Sequence, residues 1–288
     1  MKFLVLGSSG MAGHVIALYL KERGHDVTGF SRRPVSYVKN IRGDATDTEL
    51  LSRIISQNSF DVVINAIGIL NQDAEARKDA AVFLNAYLPH FLAKVTATMK
   101  TRVFHMSTDC VFKGNTGPYT ETSIPDGETF YDRTKALGEL KDSKNLTIRC
   151  SIVGPDTHES GIGLFNWFMK QRGTIKGYTK AIWTGLTTIE LARTMLLAAE
   201  FGATGLVNFV PNKNISKYDL LRLFNDAFRK GALTIVPDEQ VALDKTLIRT
   251  DFSCPERNKD YEDQIKDMYA WVLDHKYLYP NYKEALDE

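Results

Sequence analysis

The sequence predicts an α/β protein: a doubly wound parallel sheet followed by a smaller mixed α/β unit. Two observations predict the sheet. Short apolar runs without alternation recur at Lys2 to Leu6, Asp61 to Ile67 and Thr101 to Met106, as expected of strands buried on both faces. Segments of helical periodicity alternate with such runs through residue 150, and that alternation builds parallel sheets. A third observation marks the second unit. From Asp156 onward, helical segments at about Gly163 to Gln171, Thr188 to Glu200 and Lys217 to Arg229 are separated only by short apolar runs such as Leu206 to Val210 and Leu233 to Val236. The expected division is 1–155 and 156–288, with a segment near 184–201 packing back on the first unit. A chain of 288 residues is long enough for this.

Taken in order, the first apolar run enters Gly-Ser-Ser-Gly-Met-Ala-Gly, with glycines at 7, 10 and 13. The helical segment His14 to Leu20 then closes on Lys21-Glu22-Arg23-Gly24, cations in the last turn and glycine just beyond. Strand, glycine turn and helix open a dinucleotide-binding βαβ unit. Gly7 permits the tight turn, Gly10 lets backbone approach a pyrophosphate, and Gly13 lets helix lie close to strand. The alternative is an ordinary strand–helix turn.

Asp26 to Phe30 reads as the second strand and leads into Ser31-Arg32-Arg33-Pro34. No carboxylate stands where one would bind an adenosine ribose 2′-hydroxyl. A hydroxyl followed by two guanidiniums suits a 2′-phosphate, so NADPH is favoured over NADH; the bland alternative is a pair of solvated loop charges. Asn40 to Gly43 is a short third strand. Asp44 and Ala45 follow, then a helix from about Thr48 to Gln57 with Thr46-Asp47 as its cap. The run Asp61 to Ile67 ends at Ala66-Ile67-Gly68, small enough to lie against a ligand at a strand end. A helical region over about 74–100 should break or kink near Leu88, because Pro89 follows it. Thr101 to Met106 delivers Ser107, Thr108 and Asp109 to the same edge. A polar loop precedes a helix opened by Tyr131 and running to about Lys141, and Asn145 to Arg149 completes the strands.

Tyr131 and Lys135 are four apart and therefore share one helical face. At about 4 Å and an effective dielectric near 20, an ammonium attracts a phenolate by roughly 4 kcal/mol. That is about three pK units, enough to bring a tyrosine towards neutrality and make it a proton donor to a carbonyl oxygen receiving hydride.

Composition narrows the classes. A formal charge of +1 with scattered, mixed charges gives no reason to expect nucleic acid. Cys110, Cys150 and Cys254 are far apart and odd in number, which indicates neither a disulfide framework nor a zinc site. The apolar start is interrupted by Gly7, too early for a secretion signal, and no apolar run approaches a membrane span. The expectation is a soluble cytoplasmic protein without a metal, monomeric or homodimeric. The terminal aromatics Tyr261, Tyr269, Trp271, Tyr277, Tyr279 and Tyr282 are expected as core.

The glycine turn after the first strand, Ser-Thr after a later strand and Tyr-x-x-x-Lys on the next helix together resemble the short-chain dehydrogenase/reductase superfamily, with its Rossmann-type fold. The long second half is similar to its extended branch acting on nucleotide-linked sugars. Within that branch, STDCVFKG, PYTE and YDRTKALGE look most like the dTDP-4-dehydrorhamnose reductases.

The resemblance implies that Thr108 holds a substrate carbonyl, that Tyr131 is the acid, and that Lys135 tunes it and binds the nicotinamide ribose. It implies cofactor contacts at Gly7, Ser9, Gly10, Met11 and Gly13, at Asp44-Ala45 by the adenine, and at Ala66, Ile67 and Gly68. Val111 and Phe112 would lie by the substrate. Trp183, in AIWTGLTTIELA, is open between stacking on a base or sugar and a place in the core. The implied reaction is reduction of a ketosugar carbon, most simply C4, in deoxysugar and surface polysaccharide synthesis. Asp132 stands where the family usually has glycine. Cys110 leaves the sequence without the Thr-Asp-Glu of dehydratases. The alternatives are a UDP-4-keto-N-acetylhexosamine reductase, an epimerase, or a silent regulatory subunit resembling that of methionine adenosyltransferase.

Overall fold

The computed structural model describes residues 1–251 and 258–287; Cys254 lies outside them. Its centre is a seven-stranded parallel sheet. In chain order the first half contains β1 (Lys2–Leu6), α1 (Met11–Glu22), β2 (Asp26–Ser31), β3 (Lys39–Arg42), α2 (Thr48–Gln57), β4 (Val62–Asn65), α3 (Asn71–Ala76), α4 (Lys78–Ala81), α5 (Leu88–Val95), β5 (Arg102–Met106), α6 (Phe130–Leu137) and β6 (Leu146–Arg149). The second half adds β7 (Ser151–Val153), α7 (Leu164–Met169), β8 (Thr174–Tyr178), β9 (Ala181–Trp183), β10 (Gly185–Thr187), α8 (Thr188–Glu200), β11 (Gly205–Asn208), β12 (Ile215–Ser216), α9 (Lys217–Arg229), β13 (Thr234–Asp238), β14 (Leu243–Asp244) and α10 (Tyr261–Asp274).

The strand order is β11-β6-β5-β4-β1-β2-β3. The order reverses between β1 and β4, whose register pairs Leu6 with Asn65, so the carboxyl ends of these two strands form the ligand crevice of an open parallel sheet. Phe3, Leu4, Val5 and Leu6 have no exposed surface. This accounts for the unbroken apolar run, since helices cover both faces.

The seventh strand is contributed by the second half: β11 pairs in parallel with β6, Gly205 opposite Leu146. α8 packs against α1. The apolar run at Leu206 to Val210 thus belongs to the main sheet and not to a separate small unit. Smaller pairings, β8 with β13 and β9 with β12 and β14, sit beside α9. The terminal aromatics pack as core. Trp271, Tyr279 and Tyr282 are at most 6 % exposed, though Tyr277 is exposed.

The helical region before β5 differs from the sequence expectation. The chain breaks at Arg77, then runs through a π-helical stretch, Val82–Tyr87, directly into α5 with Pro89 inside it. A π turn absorbs the register change that proline imposes. Proline at 89 has no N–H to offer the Asn85 carbonyl. That carbonyl faces α6 instead, where a Cβ at Gly138 would stand 2.0 Å from it. α2 begins as expected, with the Asp47 side chain accepting from Leu50 N–H at 2.9 Å.

Candidate active site

The glycine turn is held by the strands beside it. Gly7 N–H donates to Phe30 O at 2.8 Å, and Ala66 N–H donates to Leu6 O at 3.1 Å. Gly7 has φ +83°, which favours glycine. A Cβ at Gly13 would stand 2.1 Å from Gly7 O, so α1 can lie this close to the turn only without a side chain there. Gly10 caps α1 with no side-chain hydrogen bond, and the first turn has no acidic residue. The free N–H groups at this end and the helix dipole are therefore left for an external anion.

Above the turn lies a cleft of about 450 Å³ whose lining includes Gly7, Ser9, Gly10, Ser31, Arg32, Asp44, Ala45, Ala66, Ile67 and Gly68. These ten residues come from four separate segments, each expected from the sequence to meet a cofactor. Met11 is half-buried beside them on the first turn of α1. Ser31 is buried, and its hydroxyl donates to Arg33 O at 2.6 Å, so it shapes the loop that presents the arginines. Arg33 does not line the cleft; its Nη1 lies 3.0 Å from the ring nitrogens of His158. Asp44 accepts from Thr46 N–H and Oγ1 at 2.9 and 2.8 Å. These bonds, then the Arg32 charge, hold its carboxyl below the usual range.

The second group comes from β5 and α6. Thr108 Oγ1 accepts from Cys110 N–H at 3.1 Å and donates to Asp109 Oδ1 at 3.1 Å. Tyr131 lies with Ile69, Ala74 and Ala81 in a small buried cluster beneath the cleft. Lys135 Nζ donates to Met106 O at 2.5 Å. α6 opens on a reciprocal cap: Asp132 N–H donates to Thr129 Oγ1, and Thr129 N–H to Asp132 Oδ2, both at 3.1 Å. Asp132, the departure from glycine, thus fixes the first turn on which Tyr131 sits.

The electrostatics correct one expectation. Burial raises the Tyr131 phenol above its ordinary pKa, Cys110, Asp109 and Asp132 push the same way, and a hydrogen bond with Thr108 acts against them. Lys135 does not depress it here, because its ammonium is bonded to Met106 O and not to the phenol. Desolvation outweighs through-space attraction when the charge is held elsewhere. The same burial draws Lys135 down to about 8, with Glu139 opposing. Asp109 is raised by burial, against Lys245.

Three residues expected beside a substrate are core in this structure. Val111 and Phe112 have no exposed surface; Phe112 stacks on Tyr119 with centroids 4.1 Å apart. Trp183 is 8 % exposed and packs on Tyr261, so of its two readings the structure takes the core one.

Two supporting groups gave no sequence signal. Asn85 is fully buried and clamps Ile69 through both backbone groups at 2.9 Å, while its amide donates to Thr134 Oγ1 at 3.2 Å. It ties the segment after β4 to α6. Glu139 accepts from Arg149 Nε and Nη2 at 2.6 and 2.7 Å and from Ser107 Oγ at 2.9 Å, all without exposure at the ion pair. This fixes the residue before Thr108 from below. A lone Asn or Glu in a helical pattern reads as surface until partners 16 or 10 residues away are known.

Among the described residues, no helix is long and apolar enough to cross a membrane. Comparison with known proteins agrees with this architecture. The chain is 27% identical over 87% of its length, and 88% of the relative's, to a probable low-salt glycan biosynthesis reductase of Haloferax volcanii. It is 31% identical over 83% of its length, and 76% of the relative's, to methionine adenosyltransferase 2 subunit beta of Xenopus laevis. Among solved structures it resembles the dTDP-4-dehydrorhamnose reductase of Bacillus anthracis in complex with NADP. The TM-score there is 0.78 at 16% identity, covering 94% of this chain and 99% of that one. The family described as RmlD substrate binding domain matches residues 1–253, and the chain belongs to that family.

Proposed function

We propose that the protein is an NADPH-dependent reductase of a nucleotide-linked 4-ketosugar, acting in deoxysugar and polysaccharide synthesis. The observation that carries this reading is the hydrogen bond between Thr108 and Tyr131, with Lys135 one turn further along the same helix, near a cleft lined by the glycine turn. The cleft fits a dinucleotide. An uncapped helix start suits its pyrophosphate, Arg32 beside Asp44 suits a phosphorylated ribose, and Ala66 to Gly68 present little bulk. A reduced nicotinamide held there supplies the hydride. NADP in the Bacillus anthracis structure and the reductase name of the Haloferax relative support the same reading.

The residues then divide the work. Thr108 directs its hydroxyl to the ketone oxygen. Tyr131 gives its phenolic proton to that oxygen, starting from the protonated form that burial enforces. Lys135 offers the cation that stabilises the resulting phenolate, for which its Nζ turns from Met106 O. Removing the acid costs about 10²- to 10⁴-fold.

The test is NADPH oxidation against enzymatically generated dTDP- and UDP-4-ketosugars, with NADH in parallel. Tyr131→Phe should lose nearly all turnover and still bind cofactor; undiminished turnover would refute the assignment. Steady consumption of added NADPH excludes an epimerase, which returns its hydride. A second reading, a non-catalytic partner subunit, is favoured by the Xenopus relative. A stoichiometric enzyme partner, with no activity on any ketosugar, would establish it instead.

A further inference from the structure

The two arginines after β2 are adjacent in sequence yet occupy different places. Arg32 lines the cleft and is close enough to Asp44 to lower its carboxyl pKa. Arg33 points to His158, with Nη1 3.0 Å from its ring nitrogens.

His158 belongs to the loop between β7 and α7, which crosses from the second half to the cleft. Three features fix the loop there. Tyr282 Oη accepts from Asp156 N–H at 2.8 Å, and His158 N–H donates to Asp156 Oδ1 at 2.8 Å. Gly161 N–H donates to His158 O at 3.0 Å, closing a turn. Asn166, fully buried, donates to the carbonyls of Glu159 and Gly161 at 3.2 and 2.5 Å. The turn carries Ile162 into the cleft lining although its side chain is 73 % exposed. At Gly163 a Cβ would stand 3.0 Å from Met11 Sδ, so the loop also touches the first residue of α1. It thus spans the mouth of the cleft from the glycine turn to the arginine loop.

We infer that Arg33 and His158 form a latch that ties this strap across the bound dinucleotide, and that Arg32 alone distinguishes NADPH from NADH. The inference rests on the cleft being the dinucleotide site. A guanidinium against an imidazole ring is a polar contact that at an exposed position is worth little alone. A latch acts on the escape of whatever lies beneath it and so on dissociation. It does not sense the 2′-phosphate. Arg32 is left free to meet that group.

The experiment measures binding and stopped-flow release of NADPH and NADH, by nicotinamide fluorescence, for Arg32→Ala, Arg33→Ala, His158→Ala and the Arg33→Ala/His158→Ala double variant. Removing either latch member should speed release of both dinucleotides by the same factor, roughly two- to five-fold. The double variant should be no faster than either single one, because both remove the same contact. Arg32→Ala should weaken NADPH tenfold or more and leave NADH unchanged. Selective loss of NADPH affinity in Arg33→Ala, with His158→Ala silent, overturns the inference and makes Arg33 a phosphate ligand. Unchanged release in both latch variants overturns it too. If the unmodified protein binds neither dinucleotide, the proposed function itself fails, and that result is distinct from the others. Melting curves confirm that each variant is folded, as expected for substitutions at an exposed arginine and a half-buried histidine.

Discussion

Replacing Lys135 with methionine separates the catalytic role proposed for it from its cost to the fold. Lys135 is 5 % exposed, and burial lowers its pKa from 10.5 to about 8. That gap corresponds to about 3 kcal/mol of differential stabilisation against the charged form. The sign follows from proton binding. Below about pH 8 both folded and unfolded states hold the proton and the penalty is present in full. As pH rises through the folded value the native state loses its proton first, so stability increases until the unfolded value of 10.5 is passed. Lys135→Met keeps the chain length, removes the charge and leaves Met106 O without its donor, which costs about 1–3 kcal/mol. Near pH 7 the two effects nearly cancel, and the variant should lie within about 2 kcal/mol of the parent while losing about 10²- to 10⁴-fold in turnover. Urea titrations at about pH 7 and about pH 10 are the assay. The parent should gain up to about 3 kcal/mol on the variant over that interval. Parallel stability–pH curves would refute the buried cation, and a loss above about 5 kcal/mol near pH 7 would refute the cancellation.

Glu139→Gln should cost about 3–5 kcal/mol, since it leaves Arg149 charged, unexposed and without its bidentate partner. Calorimetric melting checks this, and a fall in melting temperature of less than about 3 °C would contradict it. His14 has no exposure, and burial lowers its pKa from 6.5 to about 4. The unfolded state therefore takes up a proton before the native one, and stability drops by about 3 kcal/mol as pH falls from 6.5 to about 4. In His14→Asn, which cannot titrate, the acid limb of the stability curve should flatten; an unchanged limb would assign that loss to other groups.

What the sequence determined by itself is what depends on local repetition. β1 is unbroken in its apolar run because both faces are covered, and α2, with its cap, and α8 and α9, from periodicity alone, begin and end where expected. Gly7 and Gly13 are legible because a positive φ and a helix pressed to a strand admit no side chain. Thr108, Tyr131 and Lys135 are legible as a pattern of spacing. Other features depend on partners distant in the chain. A short apolar run near 206 gives no hint that β11 joins β6 as the seventh strand. Pro89 signals a break, yet a π turn lets the helix pass and turns Asn85 O towards Gly138. Spacing places Lys135 beside Tyr131, but burial and the Met106 carbonyl decide where its charge goes. Adjacent arginines read alike in sequence; only the loop arriving with His158 gives them different places. Periodicity and caps act within a few residues, whereas desolvation and hydrogen-bond competition act between groups that only the folded chain brings together.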